Sequence, residues 1–177
     1  MLASHLNTIN RYNEPRKQAR ELAKSALQNN LKKILSLSSV DHKAIAAFRT
    51  LQDSQVRLES WDWIFASKYC LRYPKAFDLS VWHGNSLCSL SLGRPTYNGT
   101  EMRLDFIEKF TENPLFSGEM FGVSLIAYEA YGKLIGANKL RIMNPTNKKL
   151  IGYYSDHGGF SYKNALKGNP HYLVKSI

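Results

Sequence analysis

From Met102 to the C-terminus the chain reads as one ordered series of segments. An apolar, strand-like run (MRLDFIEKF) is followed by a glycine-bearing loop (TENPLFSGEMFG) and a helix-like run (VSLIAYEAYGKLIGA). A second strand (KLRIMNP) and the segment TNKKLIGYYSDHGGFSYK complete it. Gly118 and Gly122 stand just before Val123, Ile126, Ala127, Ala130, Tyr131, Leu134 and Ile135, whose spacing is that of one helix face. Backbone N–H groups in such a loop, with the free N–H groups and positive dipole end of the helix it opens, form an anion site suited to a pyrophosphate. Gly136 sits where a helix C-cap glycine belongs. The same glycines also suit a purely structural turn, so the loop alone leaves both readings open.

Upstream, FDLSVW, the turn His83-Gly84-Asn85 and SLCSLSLG read as two antiparallel strands. A further turn through Pro95 to Gly99 leads into the run from Met102, which makes a three-strand meander. The first sixty residues read as helical. Asn13-Glu14-Pro15 forms a helix start, and Ala19, Leu22, Ala23, Ala26, Leu27, Leu31, Ile34 and Leu35 mark one apolar face. SLSSVDH interrupts that helix, Asp41 caps a second, and residues near Trp61 to Tyr73 form a third that Pro74 ends. The apolar face is expected to pack on the domain's own sheet; a partner helix or a membrane surface is the alternative.

A chain of 177 residues with 44% hydrophobic content suits one globular domain. No apolar stretch approaches the roughly 18 residues a membrane span needs, and the start lacks the apolar core of a secretion signal, so a cytoplasmic location is expected. Cys70 and Cys88 are read as buried free thiols. The net charge of +10 is uneven, with nine Lys/Arg against three acids in residues 1–50. Such a balance raises on-rates for coenzyme A, nucleic acid or acidic protein surfaces without selecting among them, and a solvated basic face is the plain alternative.

Several chemistries are absent as patterns. The five histidines show no metal-ligand spacing, no Gly-x-Ser-x-Gly elbow occurs, and the glycine loop lacks the Gly-Lys-Ser/Thr ending of a P-loop. No Rossmann fingerprint occurs either. No metal is expected.

In segment order and local motifs the last hundred residues resemble the GCN5-related N-acetyltransferase (GNAT) superfamily. The family's proline followed by Arg/Gln-x-x-Gly-x-Gly/Ala aligns with Pro114 and Ser117-Gly118-Glu119-Met120-Phe121-Gly122. Its Asn seven residues before a Tyr aligns with Asn147 and Tyr154, and its Gly-Phe pair with Gly159-Phe160, displaced by one residue. The closing strand resembles Leu173-Val174-Lys175-Ser176-Ile177. Three positions depart from the pattern: Ser117 replaces Arg or Gln, Met120 replaces the first Gly, and Glu112 replaces an apolar strand residue.

The resemblance implies an α+β fold with a mixed, mostly antiparallel central sheet flanked by helices and an N-terminal helical extension. Residues 1–177 would form a single domain, with 1–60 its helical N-terminal part, read as an extension or substrate-side lid, and 76–177 its sheet and cofactor-binding core. It implies direct acetyl transfer from acetyl-CoA to an amine acceptor. Backbone groups near Phe110 and Thr111 would hold the thioester carbonyl and pantetheine arm, and Ser117, Gly118, Glu119, Met120, Phe121 and Gly122 the pyrophosphate. Asn147 would bind the cofactor arm, and Tyr154 would protonate the departing thiolate; a buried structural tyrosine is the other reading of Tyr154. Glu108, placed on one strand face with Leu104, Phe106 and Phe110, is the candidate general base, with Asp105 and Glu112 as competitors; a salt-bridged carboxylate is the alternative for each. The basic charge fits an acceptor on an anionic carrier such as aminoacyl-tRNA. A catalytically silent GNAT-like module that binds nucleic acid or a protein is the competing function. Oligomeric state is left open, a dimer included.

Overall fold

The computed structural model describes residues 2–55, 57, 59, 61–145, 148–166, 168 and 170–177. Strands β1 (Leu35–Ser38), β2 (Phe77–His83), β3 (Ser86–Pro95), β4 (Glu101–Lys109), β5 (Lys139–Met143), β6 (Ser161–Lys163) and β7 (Tyr172–Ser176) form one sheet in the order β1-β2-β3-β4-β5-β7-β6. Only β4 and β5 run parallel. The helices are α1 (Leu2–Arg11), α2 (Asn13–Ala26), α3 (Asn29–Ile34), α4 (His42–Leu51), α5 (Ala66–Arg72), α6 (Glu119–Leu134) and α7 (Lys148–His157).

The long N-terminal helix expected from the periodicity ends at Ala26 and resumes as α3, and LSLS (35–38) leaves it as β1. Leu37 and Ser38 then pair with Val81 and Ser80 of β2, so residues 1–60 contribute a strand to the sheet as well as helices. Their alternation is too short to outcompete the helical pattern when the sequence is read alone, and the edge of β2 supplies the missing hydrogen bonds. Asp41 caps α4 as expected, its Oδ1 accepting from Ala44 N at 2.9 Å.

Two cores lie on opposite faces of the sheet. On one, α2 and α6 pack together through Ala19, Ala23, Val123, Ala127, Tyr128 and Tyr131 over Phe77, Leu79, Val81, Met102 and Leu104. The Ser89, Ser91 and Gly93 positions of β3 alternate onto this face, and their small side chains let α6 lie close. A Cβ on Gly93 would stand 1.9 Å from Arg103 O and 2.5 Å from the Tyr128 ring, so only glycine fits there. The Tyr128 and Tyr131 hydroxyls donate to the carbonyls of Phe77 and Lys75 and tie α6 to the start of β2. The other core gathers Ala44 and Phe48 of α4, Trp63, Ala66 of α5, Trp82, Leu87, Leu90, Leu92 and Phe110. Among the described residues no helix is long and apolar enough to cross a membrane.

Candidate active site

Strand β4 changes character at one residue. Leu92 of β3 faces Phe106 and Gly93 faces Leu104, so Asp105 has no partner opposite and forms a β-bulge. Before it, Met102 and Leu104 point toward the α6 core; after it, Phe106 and Phe110 point toward the α4–α5 core and Ile107 toward α6. The expected common face of Leu104, Phe106, Glu108 and Phe110 is therefore split, with Leu104 on the opposite side. A bulge shifts the alternation by one, and a period-2 reading of sequence has no means of detecting it. The extra residue is pinned: Asp105 accepts from Arg103 Nη2 at 2.6 Å and from the Tyr69 hydroxyl at 2.5 Å.

The bulge coincides with the end of the β4–β5 ladder, whose last pair is Leu104 with Ile142. Beyond it β4 runs on to Lys109 beside β3 alone, and β5 turns away with β7. Phe110 N donates to Cys88 O at 2.8 Å, which points the Phe110 and Glu108 backbone groups at β3. By strand alternation the N–H and C=O groups of Ile107 and Lys109 face the opened edge. Phe110, expected to offer its backbone to an acyl group, is thus engaged in the sheet, and its ring packs against Phe48 with centroids 6.0 Å apart. Thr111 is likewise turned to local structure, its hydroxyl accepting from Asn113 N.

A cavity of about 740 Å³ fills the opening, a size suited to a small-molecule ligand. It is bounded by β4 from Leu104 to Lys109, by Ile142 to Pro145, and by Gly118, Met120 and Phe121. Leu150 and Tyr154 of α7 close one side, and Glu59 and Trp61 another.

The loop before α6 is shorter than expected. Ser117 N donates to Pro114 O, and the helix starts at Glu119, so Met120, Phe121 and Gly122 belong to its first turn. Gly118 is the N-cap, with φ of 76°, and no side chain caps the end. The left-handed residue the turn needs is therefore Gly118, and Met120, where the family pattern has glycine, sits without conformational conflict as a buried helical residue. Ser117 is exposed, and neither it, Glu119 nor Gly122 lines the cavity. The free N–H groups of the first turn remain a positive end facing the cavity through Gly118, Met120 and Phe121. Glu119, in that turn, opposes an anion there.

Tyr154 is 8% exposed and lines the cavity. Its ring contacts Phe121 at 4.7 Å and Phe160 at 6.0 Å, while Gly158 N and Phe160 N donate to its carbonyl. Burial, with the Tyr153 and Glu119 charges adding to it, pushes the phenol up to about 12, so it stays protonated throughout the neutral range. Asn147 lies outside the described residues.

The structure gives Glu108 a bridging task. Its Oε1 accepts from Arg57 Nε at 2.8 Å, and its Oε2 from Arg57 Nη2 at 3.1 Å and Trp63 Nε1 at 2.6 Å, with the carboxylate side chain 1% exposed. Three donors on a buried carboxylate leave it poorly placed to take a proton from a substrate. Arg57 also donates to the carbonyls of Gln52 and Trp61 and lies 4.9 Å from the Phe48 ring centroid. The pair thereby ties Arg57, and through it the Gln52 and Trp61 carbonyls, to β4. Asp105 is held by the bulge contacts, and Glu112 is exposed and does not line the cavity.

Two charged residues that the sequence reading did not select do line it: Glu59 and Lys109. Among the described residues neither has an ion-pair partner. No sequence motif marks either one; Lys109 is brought to the cavity by the strand beyond the bulge, and Glu59 by its placement near Trp61.

No protein-family model matches the chain, and no curated protein matches it by sequence. Solved structures do. An acetyltransferase from Thermus thermophilus superposes with a TM-score of 0.59 at 13% identity, over 81% of this chain and 97% of that one. Ard1 from Thermoplasma volcanium gives 0.57 at 17% identity, over 81% and 98%. The PaiA N-acetyltransferase from Thermoplasma acidophilum, solved in complex with coenzyme A, gives 0.53 at 15%, over 81% and 99%. The chain has the GNAT fold, as the motif order led us to expect, and at these identities it is the fold that is shared.

Proposed function

We propose that this protein is an N-acetyltransferase that moves an acetyl group from acetyl-CoA directly to an amine. The observation that carries the reading is the opened edge of β4, whose free backbone groups lie in one cavity with the uncapped start of α6 and the Tyr154 ring. The residues fit the cofactor's chemistry. Gly118, Met120 and Phe121 would receive the pyrophosphate through the helix terminus, Lys109 adds a cation, and the Ile107–Lys109 edge would take the amide groups of the pantetheine arm.

Bound acetyl-CoA supplies the acetyl thioester. The Ile107 and Lys109 N–H groups are the donors available where charge grows on the carbonyl oxygen as nitrogen attacks. The carbon–nitrogen bond forms and the carbon–sulfur bond breaks. Tyr154 gives its hydroxyl proton to the departing thiolate and recovers one from the amine. The ammonium loses two protons in becoming an amide, so one reaches the thiol and one leaves to solvent.

Calorimetric titration with acetyl-CoA at moderate salt tests the reading. Micromolar binding is expected; no heat at millimolar cofactor would transfer the argument to a module that binds without catalysis.

A further inference from the structure

The cavity is lined by residues from both faces of the sheet. On the α6 side lie Gly118, Met120, Phe121, Ile107 and Tyr154, all belonging to or packed against the α2–α6 layer. On the other side lie Phe106 and Trp61, next to the α4–α5 layer, and Glu59, two residues before Trp61, lines the same cavity. The α6 side carries the groups suited to an anionic cofactor, so the other side is left for the acceptor.

That second side has a definite chemistry. Trp61 packs edge-on to Phe106 at 5.3 Å and to Trp63 at 6.1 Å, giving an aromatic wall. Its position is fixed because Arg57, held by Glu108, also binds the Trp61 carbonyl at 2.6 Å. Glu59 is half-buried and lines the cavity, with no hydrogen-bond or ion-pair partner among the described residues. The other carboxylates beside it, Asp105 and Glu108, are already paired with arginine. Lys109, the one cation on the cavity wall among the described residues, belongs by strand alternation to the α6 side with Ile107.

We propose that Glu59 and Trp61 form the acceptor subsite and select a primary ammonium attached to an apolar or aromatic group. The inference rests on the acetyl-transfer reading for the use of the site, but the binding it requires does not. The carboxylate pairs with the ammonium, and the aromatic wall takes the attached hydrocarbon and adds cation–π attraction. Glu59 also stands ready to accept the proton that the ammonium must lose before nitrogen attacks.

The experiment is titration of the full chain with 2-phenylethylammonium chloride and, as a neutral isostere, 2-phenylethanol. The ammonium should bind more tightly than the alcohol. Glu59→Gln should weaken the ammonium about tenfold and leave the alcohol unchanged, and Trp61→Ala should weaken both. Equal affinity for the two ligands in the unaltered protein, unchanged ammonium affinity in Glu59→Gln, or no ammonium binding overturns the proposal. The comparison within the unaltered protein stands even where a variant does not fold. Acetyl-CoA titrated alongside separates the two readings. Ammonium binding without acetyl-CoA binding sinks the acetyl-transfer reading and leaves the subsite, while the reverse sinks the subsite alone.

Discussion

The two halves of β4 differ by their neighbours. Residues 102–104 have a strand on either side, and Glu101 pairs across the β4–β5 ladder with Lys139 and Arg141. Residues 105–109 have a strand on one side only, and the same backbone there borders a cavity. One unpaired residue, Asp105, separates a structural half from a chemical half. A reactive site here needs no unusual sequence, only a strand that loses a neighbour while staying anchored to the other.

If the chemical half depends on that anchorage, cutting the Arg57–Glu108 bridge should have the largest effect. Glu108→Ala leaves the Arg57 guanidinium buried without its counter-charge and should cost about 3–5 kcal/mol of stability, read as a lowered midpoint in urea denaturation. A loss below about 1 kcal/mol, the range of exposed pairs, would show that the Arg57–Glu108 bridge is not what holds Arg57 and Trp61 to β4.

Next comes Tyr154→Phe, which touches the chemistry and not the anchorage. It should lower kcat about 100-fold, with acetyl-CoA affinity and melting temperature nearly unchanged. The raised phenol gives this prediction a pH form. A folded-state value of about 12 keeps the acid protonated below that point, so kcat should show no falling limb at the ordinary tyrosine value of about 10. The sign for stability agrees: the contribution of the protonated phenol is complete below about 10 and is lost as pH rises through about 12. A decline in kcat centred near 10 would assign the proton to a different group.

The smallest effect belongs to the end of α6. Glu119→Gln removes a negative charge from the first turn and should tighten acetyl-CoA binding by about 2- to 5-fold, the range of a helix-terminus charge of about 0.3–1 kcal/mol. Weaker binding in this variant would place the phosphates away from the helix start.

The elements with strong local signals were legible in sequence. The β2–β3 hairpin, β4, α6 with its Gly136 terminus and β5 all carry periodicity or turn residues that stand without help from the rest of the chain. Tyr154, singled out by its spacing from Asn147 in the family resemblance, does line the cavity. Glu108 was noticed for a sound reason, a carboxylate amid apolar neighbours, but its donors Arg57 and Trp63 are about fifty residues away, and no local pattern announces them. The net charge of +10 pointed toward an anionic carrier for the acceptor, whereas the cavity wall carries the carboxylate of Glu59, which has no partner among the described residues. Whole-chain charge governs encounter at a distance, and the local wall governs what is held.

The sequence by itself determined the kind of fold, because hydrophobic period, turn residues and segment order are local quantities that the chain carries wherever it goes. It also placed the start of α6 after a loop bearing Gly118 and Gly122, four residues later than the helix begins. The tertiary structure decided which side of β4 each residue after Leu104 faces, which backbone groups stay free, and which acid is bound and which is open. Those outcomes follow from a one-residue bulge and from partners distant in the chain, and both exist only once the strands have paired.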